Sequence, residues 1–104
     1  MEKSLLISFL GENPVFRIID VLIENKGIGM TKKEIIEQSG ISRAALFKYW
    51  PQIEKQEIVV VTRKFGKTKL FELNSSNPII RKLLELESIL IGKSLSSKLI
   101  QVPA

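Results

Sequence analysis

Two helix starts lie so close together near residue 40 that the chain between them has room for only a short helix and a tight turn. Thr31 followed by Glu34 has the makeup of a capping box, in which each side chain satisfies a backbone donor of the other residue. Ile35 and Ile36 give this helix an apolar face, and Ser39-Gly40 stops it after about two turns, because glycine accepts the left-handed conformation at a helix end. Ser42 then caps a further helix in which Leu46, Trp50 and Ile53 recur at spacings of four and three and face inward. Arg43, Ala44, Phe47 and Lys48 are left on its other side. Pro51 removes a backbone donor, at a cost of about 3 kcal/mol inside a helix, and predicts a kink or short break.

The flanking segments complete the pattern. Asn13-Pro14 opens an earlier helix running to about Glu24, with Val15, Ile18, Ile19, Leu22 and Ile23 as its buried stripe. Ile28-Gly29-Met30 fits only a brief strand. From Ile58 the residues turn β-branched, and VVVTRKFGKTKLFEL reads as a hairpin with Gly66 at a positive-φ position and Phe71 and Leu73 turned inward. Asn74-Ser75-Ser76 is a polar linker, and Asn77-Pro78 repeats the earlier cap. The last helix is apolar around more than half its circumference, wider than its own small domain can cover, so a second partner surface is implied. Gly92 is expected to weaken it, and the serine-rich stretch 93–104 to fray.

With 104 residues the chain makes one domain with one shared core. It has no cysteine and no histidine, which excludes disulfides, thiolate zinc sites, thiol nucleophiles and imidazole bases. The only aspartate is Asp20, and no Gly-rich phosphate loop or nucleophile elbow is present. An enzyme, a cofactor and a metal are therefore not expected, and Asp20, Glu24 and Glu37 read as solvated helix faces. No apolar run approaches the roughly 18 residues of a bilayer span, so no membrane partner is expected and the chain reads as cytoplasmic and nucleoid-associated. Leu5 to Leu10 lacks the basic start and cleavage site of a secretory signal.

Four of the five net positive charges fall between Ile41 and Leu73, where seven basic residues face three acidic ones. A helix and a hairpin that both carry cations suggest a two-pronged grip on a polyanion, with duplex DNA the first candidate. A short helix, a glycine turn and a second helix followed by a hairpin give a mainly α chain with a small β-hairpin, a winged helix-turn-helix. The chain resembles the archaeal winged helix-turn-helix transcriptional regulators of the broad ArsR/MarR group from Gly11 to about Leu86, through GENPVFRIIDVLIEN, TKKEIIEQSGISRAALFKYWPQIEKQEIV, TRKFGKTKLFELN and NPIIRKLLEL. Such proteins open the recognition helix with a small polar residue and then a basic one, and carry an aromatic-basic pair later. Those positions are Ser42, Arg43 and Phe47-Lys48 here. Where they often end that helix with glycine, this chain has Gln56-Glu57.

The expected organisation is an apolar N-terminal segment, 1–10, supporting a dimer, a DNA-binding domain, 11–76, and a dimerisation helix with its tail, 77–104. The expected DNA-binding residues are Ser42, Arg43, Ala44, Phe47, Lys48, Arg63, Lys64, Lys67 and Lys69, with Lys32 and Lys33 as further phosphate contacts. Ordinary readings stand beside these: Arg43 and Lys48 as a solvated face, Lys32 and Lys33 as plain surface, the hairpin cations as edge protection. Phe47 and Phe65 are expected to pack against neighbours ahead of stacking on bases, and Tyr49 and Trp50 to lie in the core. The expected dimer interface is Ile79, Ile80, Leu83, Leu84, Leu86 and Leu90. The leading function is a homodimeric double-stranded-DNA-binding regulator. A structural DNA-coating protein and a protein-interaction module are the alternatives, the first because Ala44 and Ala45 can touch thymine methyls but cannot hydrogen-bond a base edge.

Overall fold

The computed structural model describes residues 4–99, with side chains as far as residue 95. The expected fraying of residues 100–104 lies outside the described residues. Seven elements follow in order: α1 (Leu5–Leu10), α2 (Pro14–Glu24), α3 (Lys32–Ser39), α4 (Arg43–Lys55), β1 (Val59–Phe65), β2 (Thr68–Leu73) and α5 (Pro78–Leu99).

Every helix start is fixed by a side-chain oxygen. Ser4, Asn13, Thr31, Ser42 and Asn77 accept from the backbone N–H of Ile7, Val15, Glu34, Ala45 and Ile79 respectively. The capping box at α3 is complete, since the Thr31 N–H also donates to Glu34 Oε1 at 3.0 Å. Gly40, at φ 71°, ends α3 and turns the chain into α4. The brief strand expected at Ile28 to Met30 shrinks to one antiparallel bridge, in which Met30 and Phe71 exchange two backbone hydrogen bonds of 2.7 Å.

The core gathers Ile18 and Leu22 from α2, Ile35 from α3, Leu46, Trp50 and Ile53 from α4, Phe71 and Leu73 from β2, and Ile80 from α5. The Trp50 and Phe71 rings meet edge to face at 4.9 Å between centroids. Tyr49 is not in this core. It is half-buried in an apolar cleft of about 550 Å³ with Phe16, Ile53, Ile79 and Leu83.

The expected break at Pro51 is absent. α4 runs unbroken through Pro51, and α5 runs unbroken through Gly92. The carbonyl that Pro51 leaves without a helical donor belongs to Phe47, a residue on the exposed face, where solvent can serve it. After α4, where the chain has no glycine, Glu57 adopts φ 56°, and its carbonyl accepts from Asn74 Nδ2 at 2.9 Å and Asn77 Nδ2 at 2.8 Å.

Of the residues expected at an interface on α5, Ile80 is fully buried in the chain's own core, and Leu83 and Leu84 are half-buried against it. Among the described side chains of α5, the large apolar ones left exposed are Ile79, Ile89, Ile91 and Leu95. α1 packs on α2 and α5 of its own chain through Leu6 and Ile7, leaving Leu5 and Phe9 exposed. At the seam between α2 and α5, partial burial pushes the Glu24 and Glu87 carboxyls above their ordinary range, and the charge of Asp20 adds to the effect on both.

Candidate nucleic-acid interface

The Ser42 cap sets the phase of α4, and with it the face that carries Arg43, Ala44, Phe47 and Lys48, all of them exposed. Phe47 is 48% exposed, so the expectation that it packs away into neighbours does not hold. Its ring instead takes cations. Arg43, one helical turn earlier, places its guanidinium carbon 5.3 Å from the ring centroid, and Lys32 Nζ lies 5.3 Å from the same ring.

Lys32 is the most enclosed cation of the face. Its ammonium is also 5.3 Å from Trp50 and 5.7 Å from Phe71, so a side chain from the start of α3 bridges the recognition helix and the wing strand. Lys32 is half-buried against aromatic rings, whereas Lys33 beside it is exposed.

The hairpin has a feature that the sequence did not announce. Val61 pairs with Phe71, but Arg63 pairs with Leu70, so Thr62 is an extra residue in β1, a bulge. Beyond it the alternation of side chains changes phase. Lys64 lies opposite Lys69 and shares the face of Phe71, while Arg63 and Phe65 lie opposite Leu70 and Thr68 on the other face. A two-residue turn, Gly66-Lys67, closes the tip, with Gly66 at φ 57° as a type II′ turn requires.

Between the start of α3, the recognition helix and the hairpin lies a cleft of about 560 Å³. Lys32, Lys33, Arg43, Lys67 and Lys69 line it, with Thr31, Thr68 and Phe71, and its one carboxylate is Glu54. The structure thus brings five of the expected residues into one concavity. Ser42, Ala44, Phe47 and Lys48 extend from it along the outer face of α4, and Lys64 sits beside it on the hairpin. Arg63 is turned to the other face. Glu54 escaped sequence reasoning, although its separation from Arg43, about three helical turns, puts both on one side of α4.

Neither a protein-family model nor a curated protein matches the chain. Among solved structures it is similar to Sso10a-2, described as a DNA-binding protein from Sulfolobus solfataricus. The two superpose with a TM-score of 0.55 at 19% identity, over 88% of this chain and 99% of that one. The fold is a winged helix-turn-helix. In its terms α3 and α4 are the helix-turn-helix pair, α4 is the recognition helix, and β1-β2 is the wing. Among the described residues no helix is long and apolar enough to cross a membrane.

Proposed function

We propose that this chain binds double-stranded DNA as a homodimer and acts as a transcriptional regulator of the broad ArsR/MarR type. The observation that carries the reading is the cleft where α3, α4 and the wing bring five cations around a single carboxylate. So many like charges repel one another in the free protein. Lys64 directly opposite Lys69 adds a cross-strand repulsion that lowers hairpin stability. Duplex phosphates relieve both, and the counterions they release add an entropic gain. Sso10a-2, with the same fold, is described as a DNA-binding protein.

In this reading the N-terminal half of α4 enters the major groove. Arg43 and Lys48 reach phosphate or a guanine edge, and Ala44 and Phe47 supply apolar contact to thymine methyls. Lys33, Lys64, Lys67 and Lys69 hold the flanking backbone, and the wing reaches the minor groove. Lys32, boxed by three rings, holds the wing to the helix and contributes charge at short range. The exposed apolar side chains of α5, with Leu86 and Leu90 half-buried beside them, meet a second copy. Two-fold symmetry then sets the two recognition helices roughly 34 Å apart, on successive major grooves.

A second reading, a DNA-coating protein, draws on the same face. Arg43 and Lys48 are its only charged side chains in the first two turns of α4, next to Ala44 and Ala45, so base reading is sparse. A discrete palindromic footprint supports the regulator, and a spreading one supports the coating protein. The primary test is duplex binding against salt for wild type and for Arg43→Ala with Lys48→Ala. Wild type should show log K falling with log salt, and the variant should bind more weakly with a slope smaller by about two if both cations contact phosphate. No binding to any duplex at low salt would sink both readings.

A further inference from the structure

Phe65 is a large apolar ring held exposed at the wing tip. It is the last paired residue of β1 before the turn, it is 58% exposed, and its cross-strand neighbour is only Thr68. All residues from Val60 to Lys69 are exposed, so the outer half of the hairpin projects from the body of the protein. The chemistry of this tip is one-sided. Arg63, Lys64, Lys67 and Lys69 lie in the same hairpin tip as the ring, and no acidic residue occurs between Glu57 and Glu72. A tip that carries four cations and no carboxylate is poorly suited to an ordinary protein interface, whose centre is depleted of charge.

The bulge at Thr62 sorts these side chains. Arg63 and Phe65, two residues apart in one strand, share a face, and the Arg63 guanidinium carbon lies 5.5 Å from the Phe65 centroid. Lys64 and Lys69 share the other. The tip therefore presents a phosphate-seeking face and an aromatic face backed by one arginine. α4 has the same Arg-aromatic arrangement in Arg43 and Phe47, spaced by the period of a helix instead of a strand.

We propose that Phe65 is an aromatic wedge that stacks on a base step from the minor groove of bound duplex DNA, with Arg63 carrying the flanking charge. The proposal rests on the DNA-binding reading and goes beyond it, since it assigns the wing a contact with bases. The chemistry favours flexible pyrimidine-purine steps, which unstack most readily, and a ring inserted there kinks the duplex. Phe65 becomes a specificity-determining residue at a position outside the recognition helix.

The test uses the full chain and a duplex rich in TA steps with 2-aminopurine replacing adenines, so that unstacking raises its fluorescence. Wild type should bind with a clear rise. Phe65→Ala should abolish the rise and weaken binding about five- to hundred-fold, the range for loss of one stacked base. Its salt slope should stay that of wild type, because the lost contact carries no charge. Phe65→Trp should restore both signals, and unchanged melting of each variant confirms that the exposed site is not structural. If wild type binds with a phosphate-type salt slope but gives no fluorescence rise, or Phe65→Ala binds as wild type does, the wedge is refuted while the DNA-binding reading stands. If wild type binds no duplex at all, both fall together.

Discussion

Asn13-Pro14 and Asn77-Pro78 are the same dipeptide at the start of two helices, and the structure predicts that they differ sharply in worth. Asn13 is exposed and its Oδ1 accepts one bond, from the Val15 N–H at 2.8 Å. Asn77 is 6% exposed. Its Oδ1 accepts from the Ile79 N–H at 2.7 Å, while its Nδ2 donates to the carbonyls of Gln56 at 2.7 Å and Glu57 at 2.8 Å. A lost N-cap costs about 1 kcal/mol. Each further hydrogen bond contributes about 0.5 to 1.5 kcal/mol net, at the low end here because Gln56 and Glu57 are themselves exposed residues. Asn13→Ala should therefore cost about 1 kcal/mol and Asn77→Ala about 2 to 3. Urea unfolding at one fixed protein concentration measures both. Aspartate sharpens the contrast: Asn13→Asp keeps the cap and should be neutral or mildly stabilising beside the helix dipole, whereas Asn77→Asp puts a carboxylate against two carbonyls and should destabilise. Equal costs for the two alanine variants, or aspartate effects of one sign, would refute the claim that Asn77 ties α5 to the end of the recognition helix.

Glu57→Gly should stabilise by about 0.5 to 1 kcal/mol, since glycine removes the strain of φ 56° at some entropic cost; thermal melting reads it. Glu87→Gln should raise the melting temperature at pH 7. A carboxyl whose folded pKa is raised favours the folded state while protonated, so that stability is present at acid pH and lost as pH rises through the folded pKa. The advantage of Glu87→Gln should accordingly shrink toward zero at pH 4 or below. Ile89→Glu with Leu95→Glu should convert a dimer to monomers in sedimentation without unfolding the chain, because both side chains are more than half exposed; an unchanged dimer mass would place the interface elsewhere.

The helices were legible because each boundary is set by a local oxygen or glycine: Thr31 with Glu34, Gly40, Ser42 and the two Asn-Pro pairs act within a few residues of themselves. Pro51 misled because its cost depends on whether the carbonyl it abandons can reach water, and that is decided by which side of α4 faces the core. The apolar excess of α5 was equally visible, but not its division. Sequence cannot tell that Ile80 fills the chain's own core while Ile89 stays exposed, because the core of a small domain closes on whichever turns of the helix happen to lie over it. The cations of the site were legible as types and not as groups. Lys32 joins α4 and the wing only through rings that the fold assembles, and the bulge at Thr62 leaves no mark in a run of β-branched residues.

That bulge also decides how the wing responds to changes in chain length. Deleting Thr62 would leave net charge and the pairing of Arg63 with Leu70, Lys64 with Lys69 and Phe65 with Thr68 as they are, because cross-strand partners share a face, and would remove only the irregularity. The bulge thus lets Arg63 and Phe65 keep one face and Lys64 and Lys69 the other at either strand length, and only a length change among those residues themselves would exchange them.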